Sequence, residues 1–119
     1  MKYDVIIIGA GPGGIFSAYE LVKGNKDLKI AGFETGSPLE KRNCPIDGEK
    51  VKSCVNCKTC AIMSGFGGAG AFSDGKYNIT NDFGGTLHEH IGKKEAISLM
   101  EYVDEINISH GGEGTKMYT

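Results

Sequence analysis

Six consecutive small residues, Gly9-Ala10-Gly11-Pro12-Gly13-Gly14, fit the pattern G-x-G-x-x-G. The chemistry of that pattern is phosphate binding by main chain. Gly9 permits a sharp turn out of a preceding strand, Gly11 lets a pyrophosphate approach the backbone, and Gly14 lets a following helix pack close to the strand. Pro12 suits the first helical position, where its missing N–H is not needed. The amides of Gly11, Gly13 and Gly14 can then face phosphate oxygens, aided by the helix dipole. Glu34 lies 25 positions beyond Gly9, close to the spacing expected of a carboxylate that accepts hydrogen bonds from a ribose. Its charge would repel a 2′-phosphate, which disfavours NADP in such a site. The plain alternative is a structural glycine turn with a solvated glutamate.

A second group of residues is also built for chemistry. All four cysteines fall between positions 44 and 60: Cys44-Pro45, then Cys54, Cys57 and Cys60 as C-x-x-C-x-x-C. Thiolates at this spacing can wrap one metal ion or hold an iron–sulfur cluster. The elements are those of bacterial ferredoxins, but in reversed order and with a different gap. Three readings stand side by side: zinc or another structural metal, an iron–sulfur cluster relaying electrons, and a metal-free set in which a C-x-x-C pair exchanges electrons as a disulfide.

The third group is the second glycine cluster, Gly65-Phe66-Gly67-Gly68-Ala69-Gly70, leading into Ser73-Asp74-Gly75-Lys76. Bare backbone of this kind can bring amides against a flat ring or a phosphate. The alternative is a surface loop with a helix cap at Ser73 or Asp74. His88-Glu89-His90 lacks the H-E-x-x-H spacing of a helical zinc site and reads as an exposed polar stretch. His110 reads as a loop histidine. Lys41-Arg42 could contact phosphate or adenine, but such a pair is more often solvated. No Ser-His-Asp order or paired carboxylate set stands out.

The elements needed to position these groups can be read around them. Val5-Ile6-Ile7-Ile8 is a short β-branched run, the signature of a strand buried on both faces. From Gly13, Ile15, Ala18 and Leu21 or Val22 recur at helical spacing, and Gly24-Asn25 closes the pattern. Leu28 to Phe33 reads as a second strand. Strand, glycine turn, helix and strand predict a parallel βαβ unit with a right-handed crossover. The chain then divides into a βαβ unit over 3–34, a Cys-rich loop over 35–64, a Gly-rich loop over 65–85 and a helix over 94–108. Ile97, Met100, Val103 or Asp104, and Ile106 mark an imperfect apolar stripe on that helix. Fold class is therefore α/β, with a Rossmann-like unit. A full doubly wound domain needs five or six strands, so the unit is expected to be the incomplete amino-terminal portion of a larger fold.

The totals bound the function. The chain has 119 residues, with 13 basic and 15 acidic side chains and a formal net charge of −2. That balance offers no broad attraction for nucleic acid or anionic lipid. Glycine, at 19 residues, is about twice its usual share. No apolar stretch approaches a signal sequence or a span of about 20 residues. A cytoplasmic location is expected, with thiols kept reduced unless they bind metal or do redox work.

Composition does not separate FAD from NAD. The run from Tyr3 to Gly14, however, resembles the start of the two-dinucleotide-binding-domain flavoproteins, the group that includes glutathione reductase. The stretch from Cys54 to Asn78, with Met63 to Gly70 and Ser73 to Lys76, resembles more narrowly a poorly characterised group of bacterial and archaeal FAD-dependent dehydrogenases. Together these cover most of residues 3–85. The resemblance implies that the amino-terminal unit takes the ADP half of FAD. It implies that Gly68, Ala69, Gly70 and Ser73 lie near the flavin, with Asp74 and Lys76 ordering the loop or touching the ribityl chain. It further implies a flavin-dependent oxidoreductase as the full-length protein, with its catalytic residues beyond Thr119 and this portion inactive alone. Partners would be a small-molecule substrate or an electron donor such as NAD(P)H. Two other functions remain open from the residues: a small zinc or iron–sulfur module that holds its metal at Cys44, Cys54, Cys57 and Cys60 and whose βαβ unit is structural, and an NAD-binding domain.

Overall fold

The computed structural model describes residues 1–73, 75, 77–82, 84–113 and 117–118, the last two by backbone only. The chain divides into two units, Met1–Ser73 and Asp74–Thr119.

The first unit is built on strand β1 (Val5–Ile8), helix α1 (Pro12–Gly24) and strand β2 (Ile30–Phe33). β1 and β2 pair in parallel, with Val5 opposite Ile30 and Ile8 opposite Phe33. The strand start is fixed by Asp4: its backbone N–H donates to Lys29 O at 2.9 Å, and its carboxylate accepts the Lys29 N–H at 2.9 Å. The strand end is fixed by the Gly9 N–H, which donates to Phe33 O at 2.7 Å. Pro12 opens α1 as expected, and Asn25 closes it with its N–H on Leu21 O.

The two faces of this sheet differ. Exposure alternates along β1, with Val5 and Ile7 partly covered. Ile6, Ile8 and Phe33 are 60%, 87% and 58% exposed. The sequence predicts β1 to be covered on both faces; here it is covered on one. Side chains alternate across a strand, so a single helix reaches only the Val5 and Ile7 side.

After β2 the chain makes a short 3-10 turn at Leu39–Lys41, an irregular excursion carrying the cysteines, and a second 3-10 turn at Ala69–Phe72. Within the excursion, Asp47 Oδ1 accepts the N–H groups of Glu49, Lys50 and Val51 at 2.9, 2.8 and 2.8 Å. These bonds hold the Asp47 carboxyl below its ordinary value, the Val51 and Glu49 amides leading.

The second unit contains strand β3 (Tyr77–Asn78), helices α2 (Leu87–Ile91) and α3 (Lys93–Asn107), and strand β4 (Met117–Tyr118). β3 and β4 pair in parallel. The helix expected over 94–108 is thus observed as α3, and the chain kinks out of helical geometry at His110 and Gly111. The sequence did not suggest α2. Its five residues place His88 and His90 on different sides of a helix, since a step of two residues turns about 200°. Ile79 and Ala96 are the buried apolar side chains among the described residues. Asp104 is also buried. Burial and the nearby Asp104 raise the Tyr77 pKa, partly offset by a hydrogen bond to Asn107.

No helix among the described residues is long and apolar enough to cross a membrane. Asp74 and Lys76, expected to order the Gly-rich loop, lie outside the described residues.

Candidate functional site

Three segments of the first unit converge at the carboxyl end of β1 and β2. The first is the turn Gly9–Gly14. Its tightness has a steric cause at Gly14: a Cβ there would stand 2.0 Å from Gly9 O and 3.2 Å from Ile7 Cγ2. The helix could not approach the strand with any larger residue, as the motif predicts. Gly11 forms the N-cap of α1 in extended conformation, and its carbonyl accepts the Ile15 N–H at 3.0 Å. The amides of Gly11, Gly13 and Gly14 donate to no acceptor among the described residues. They are orphan donors of a 13-residue helix, gathered at its positive end.

The second segment is Glu34 to Ser37. Glu34 is half-buried, and its carboxylate is held by main chain. Oε2 accepts the Ala10 N–H at 2.7 Å, while Oε1 accepts the N–H groups of Gly36 at 2.9 Å and Gly65 at 3.0 Å. These bonds favour the ionised form, the Ala10 amide most and Gly36 next, against a smaller opposing effect of burial. The carboxyl is therefore held below its ordinary value of 4.5. A residue expected to meet a ribose is thus also the junction of three loops.

The third segment is the second glycine cluster. Its Gly67 N–H donates to Ala10 O at 2.8 Å, and the Phe66 N–H donates to Ser37 O at 3.1 Å. Gly68 lies directly on the first turn. A Cβ there would stand 3.1 Å from Gly11 Cα and 3.2 Å from Pro12 Cδ, and its φ of +63° is one that side chains rarely adopt. Ala69 and Gly70 follow on the exposed 3-10 turn, and Ser73 caps it through its N–H on Gly70 O at 3.1 Å.

The structure therefore brings together Gly9, Gly11, Pro12, Gly13, Gly14, Glu34 and Gly68. It also gives Gly36 and Arg42 roles that the sequence did not assign. Gly36 is needed because a Cβ there would lie 2.5 Å from Gly65 N. Arg42 is the larger surprise. Expected to be solvated with Lys41, it is 3% exposed. Its Nε donates to Ala61 O at 2.8 Å and its Nη2 to Ile62 O at 2.7 Å. Its Nη1 donates to Phe66 O at 2.7 Å and Gly68 O at 2.9 Å. The guanidinium carbon sits 4.7 Å from the centre of the Phe72 ring. Lys41 is exposed, as expected.

Cys44, Cys54, Cys57 and Cys60 are free thiols, the last three exposed. The Cys54 sulfur accepts the Asn56 N–H at 3.4 Å. No group of three or more His, Cys, Asp or Glu side chains lies close enough to hold a metal among the described residues. His110 is bound locally, its Nδ1 2.8 Å from Ile106 O and 3.0 Å from Ser109 Oγ.

Chemically, the arrangement offers unpaired main-chain donors beside a carboxylate, within glycine-lined walls. That combination suits a ligand carrying both phosphate and hydroxyl groups. No protein-family model, curated protein or solved structure matches this chain.

Proposed function

We propose that the first unit is the ADP-binding end of an FAD site, in a Rossmann-like βαβ fold belonging to a flavin-dependent oxidoreductase. The observation that carries this reading is the set of amides at Gly11, Gly13 and Gly14, without acceptors among the described residues, at the start of α1 and beside Gly68. Pyrophosphate oxygens would take these donors, as at other helix starts that follow a strand and a glycine turn. Glu34 Oε2 accepts one amide and keeps a second lone-pair direction for a ribose hydroxyl. Its negative charge, secured by three amides, opposes a 2′-phosphate.

Resemblance to two-dinucleotide-binding-domain flavoproteins is what selects FAD over NAD. Gly68, Ala69, Gly70 and Ser73 would then run beside the flavin. When bound, flavin supplies the redox chemistry, accepting a hydride or electrons from a donor such as NAD(P)H, while the protein supplies position and electrostatics.

The test is a titration of the chain with FAD, followed by flavin fluorescence and by absorbance at about 450 nm, with ADP, NAD and NADP as competitors. FAD should bind with the highest affinity, ADP should compete, and NADP should compete worst. Equal binding of NAD and FAD would redirect the assignment to a nicotinamide domain. Failure of every nucleotide to bind would contradict the reading.

A further inference from the structure

We propose that Arg42 is the positioning residue of this nucleotide cradle: it keeps the Gly65–Gly68 wall seated on the Gly9–Gly14 turn without touching the ligand. The inference rests on the dinucleotide reading above. It begins from the backbone of the second glycine cluster. Gly65, Gly67 and Gly68 all have positive φ, at +128°, +88° and +63°. The carbonyls of Phe66 and Gly68 both accept from Arg42 Nη1. A buried carbonyl without a donor costs free energy, so a loop of this shape needs a donor inside it.

Arg42 supplies it in a form no other side chain can. Its planar guanidinium carries donors in a fixed fork, and the bonds are charge-assisted. Nη1 alone reaches both Phe66 and Gly68, while Nε and Nη2 reach Ala61 and Ile62. The Phe72 ring lies against the guanidinium face, which favours the cation further. The space is closely fitted, since a Cβ on Gly65 would come within 2.6 Å of Arg42 Cδ. On its far side the same loop is bonded to the first turn by Gly67 N–H to Ala10 O, and packs Gly68 on Gly11 and Pro12. Arg42 thus holds one side of the wall, and the other side of that wall borders the orphan amides. A lysine at this place offers three donors from a single point, and cannot span four carbonyls spread over eight residues.

The experiment compares the full 119-residue chain with Arg42→Lys and Arg42→Met. It measures FAD affinity, the visible circular dichroism of bound flavin at saturation, and amide exchange at Gly67 and Ile15. Both variants should bind FAD at least about tenfold more weakly. Lysine should not rescue, and the dichroism of bound flavin should change. Gly67 should exchange faster, while Ile15 in α1 stays protected. A general loss of stability would instead speed both amides together and leave the saturated flavin spectrum unchanged, which overturns the proposal. Unchanged affinity in both variants also overturns it and leaves the dinucleotide reading intact. No nucleotide binding by the unaltered chain overturns both. If the Arg42 variants fail to fold, Phe72→Leu decides: it removes the ring behind the guanidinium and keeps the four carbonyl bonds. Its FAD affinity should fall severalfold, and an unchanged affinity overturns the proposal.

Discussion

At Gly14 two residue-scale effects oppose each other, and their sizes decide the outcome. Alanine is worth about 1 kcal/mol more than glycine inside a helix. Here its Cβ would meet Gly9 O at 2.0 Å, a backbone atom that no rotamer change can move. Overpacking typically costs about 1–3 kcal/mol or more, so Gly14→Ala should destabilise the first unit. Gly13 is the control, because a Cβ there meets nothing within 4 Å. Gly13→Ala should stabilise by about 0.4–1 kcal/mol, and urea unfolding of the pair should give shifts of opposite sign. Glu34 is the second residue-scale test. Its carboxyl is depressed below 4.5 in the folded chain and returns there on unfolding. Its contribution is therefore fully present above pH 4.5 and is lost as pH falls through the depressed value. Asp47 acts in the same direction from 3.8 downward. Glu34→Gln keeps one acceptor but places an amide N–H₂ against a backbone donor. The gap between the unfolding midpoints of wild type and Glu34→Gln should be full at about pH 7 and should narrow progressively as pH falls below 4.5; a gap that does not change with pH would contradict the role given to the carboxylate.

At the scale of elements, β1 shows what a short apolar run can and cannot reveal. Four β-branched residues state that a strand is apolar on both faces, and the parallel pairing with β2 follows from the glycine turn and helix between them. Only the face toward α1 is packed, and Ile6, Ile8 and Phe33 lie open on the other. The two faces should therefore respond differently to substitution. Ile7→Ala should cost about 2 kcal/mol, the low end for a partly covered isoleucine. Ile8→Thr should stay within about 0.5 kcal/mol. Denaturation midpoints of the two variants check this directly. A large loss for Ile8→Thr would mean that the open face is packed in solution.

Taken as a whole, the molecule is legible in proportion to how local each determinant is. The β1–α1–β2 order, Pro12 at the helix start, the Gly14 contact and the placement of Glu34 beside the first turn all follow from spacing within some thirty residues. Arg42 was hidden because its partners are carbonyls of residues 61–68, which carry no side-chain signal and are reached only through the folded loop. The contact of Gly36 with Gly65 was hidden for the same reason, since it is backbone against backbone. The short helix at His88 was missed because five residues are too few to show a period. The cysteines were fully visible by spacing, yet spacing alone did not fix their geometry, and their thiols stay free. What unites the local and hidden parts is the cradle between Gly11 and Gly68. Its most direct test is FAD binding by Gly11→Ala. The nearest atom to the added Cβ is Gly68 Cα at 4.0 Å, and the φ of −77° suits alanine, so the fold should persist with an N-cap loss of about 1 kcal/mol. A ligand drawn against that backbone would be pushed away. Wild type should bind FAD and Gly11→Ala should bind it at least about tenfold more weakly, with unchanged far-ultraviolet dichroism. Equal FAD affinity in the two chains would contradict the account.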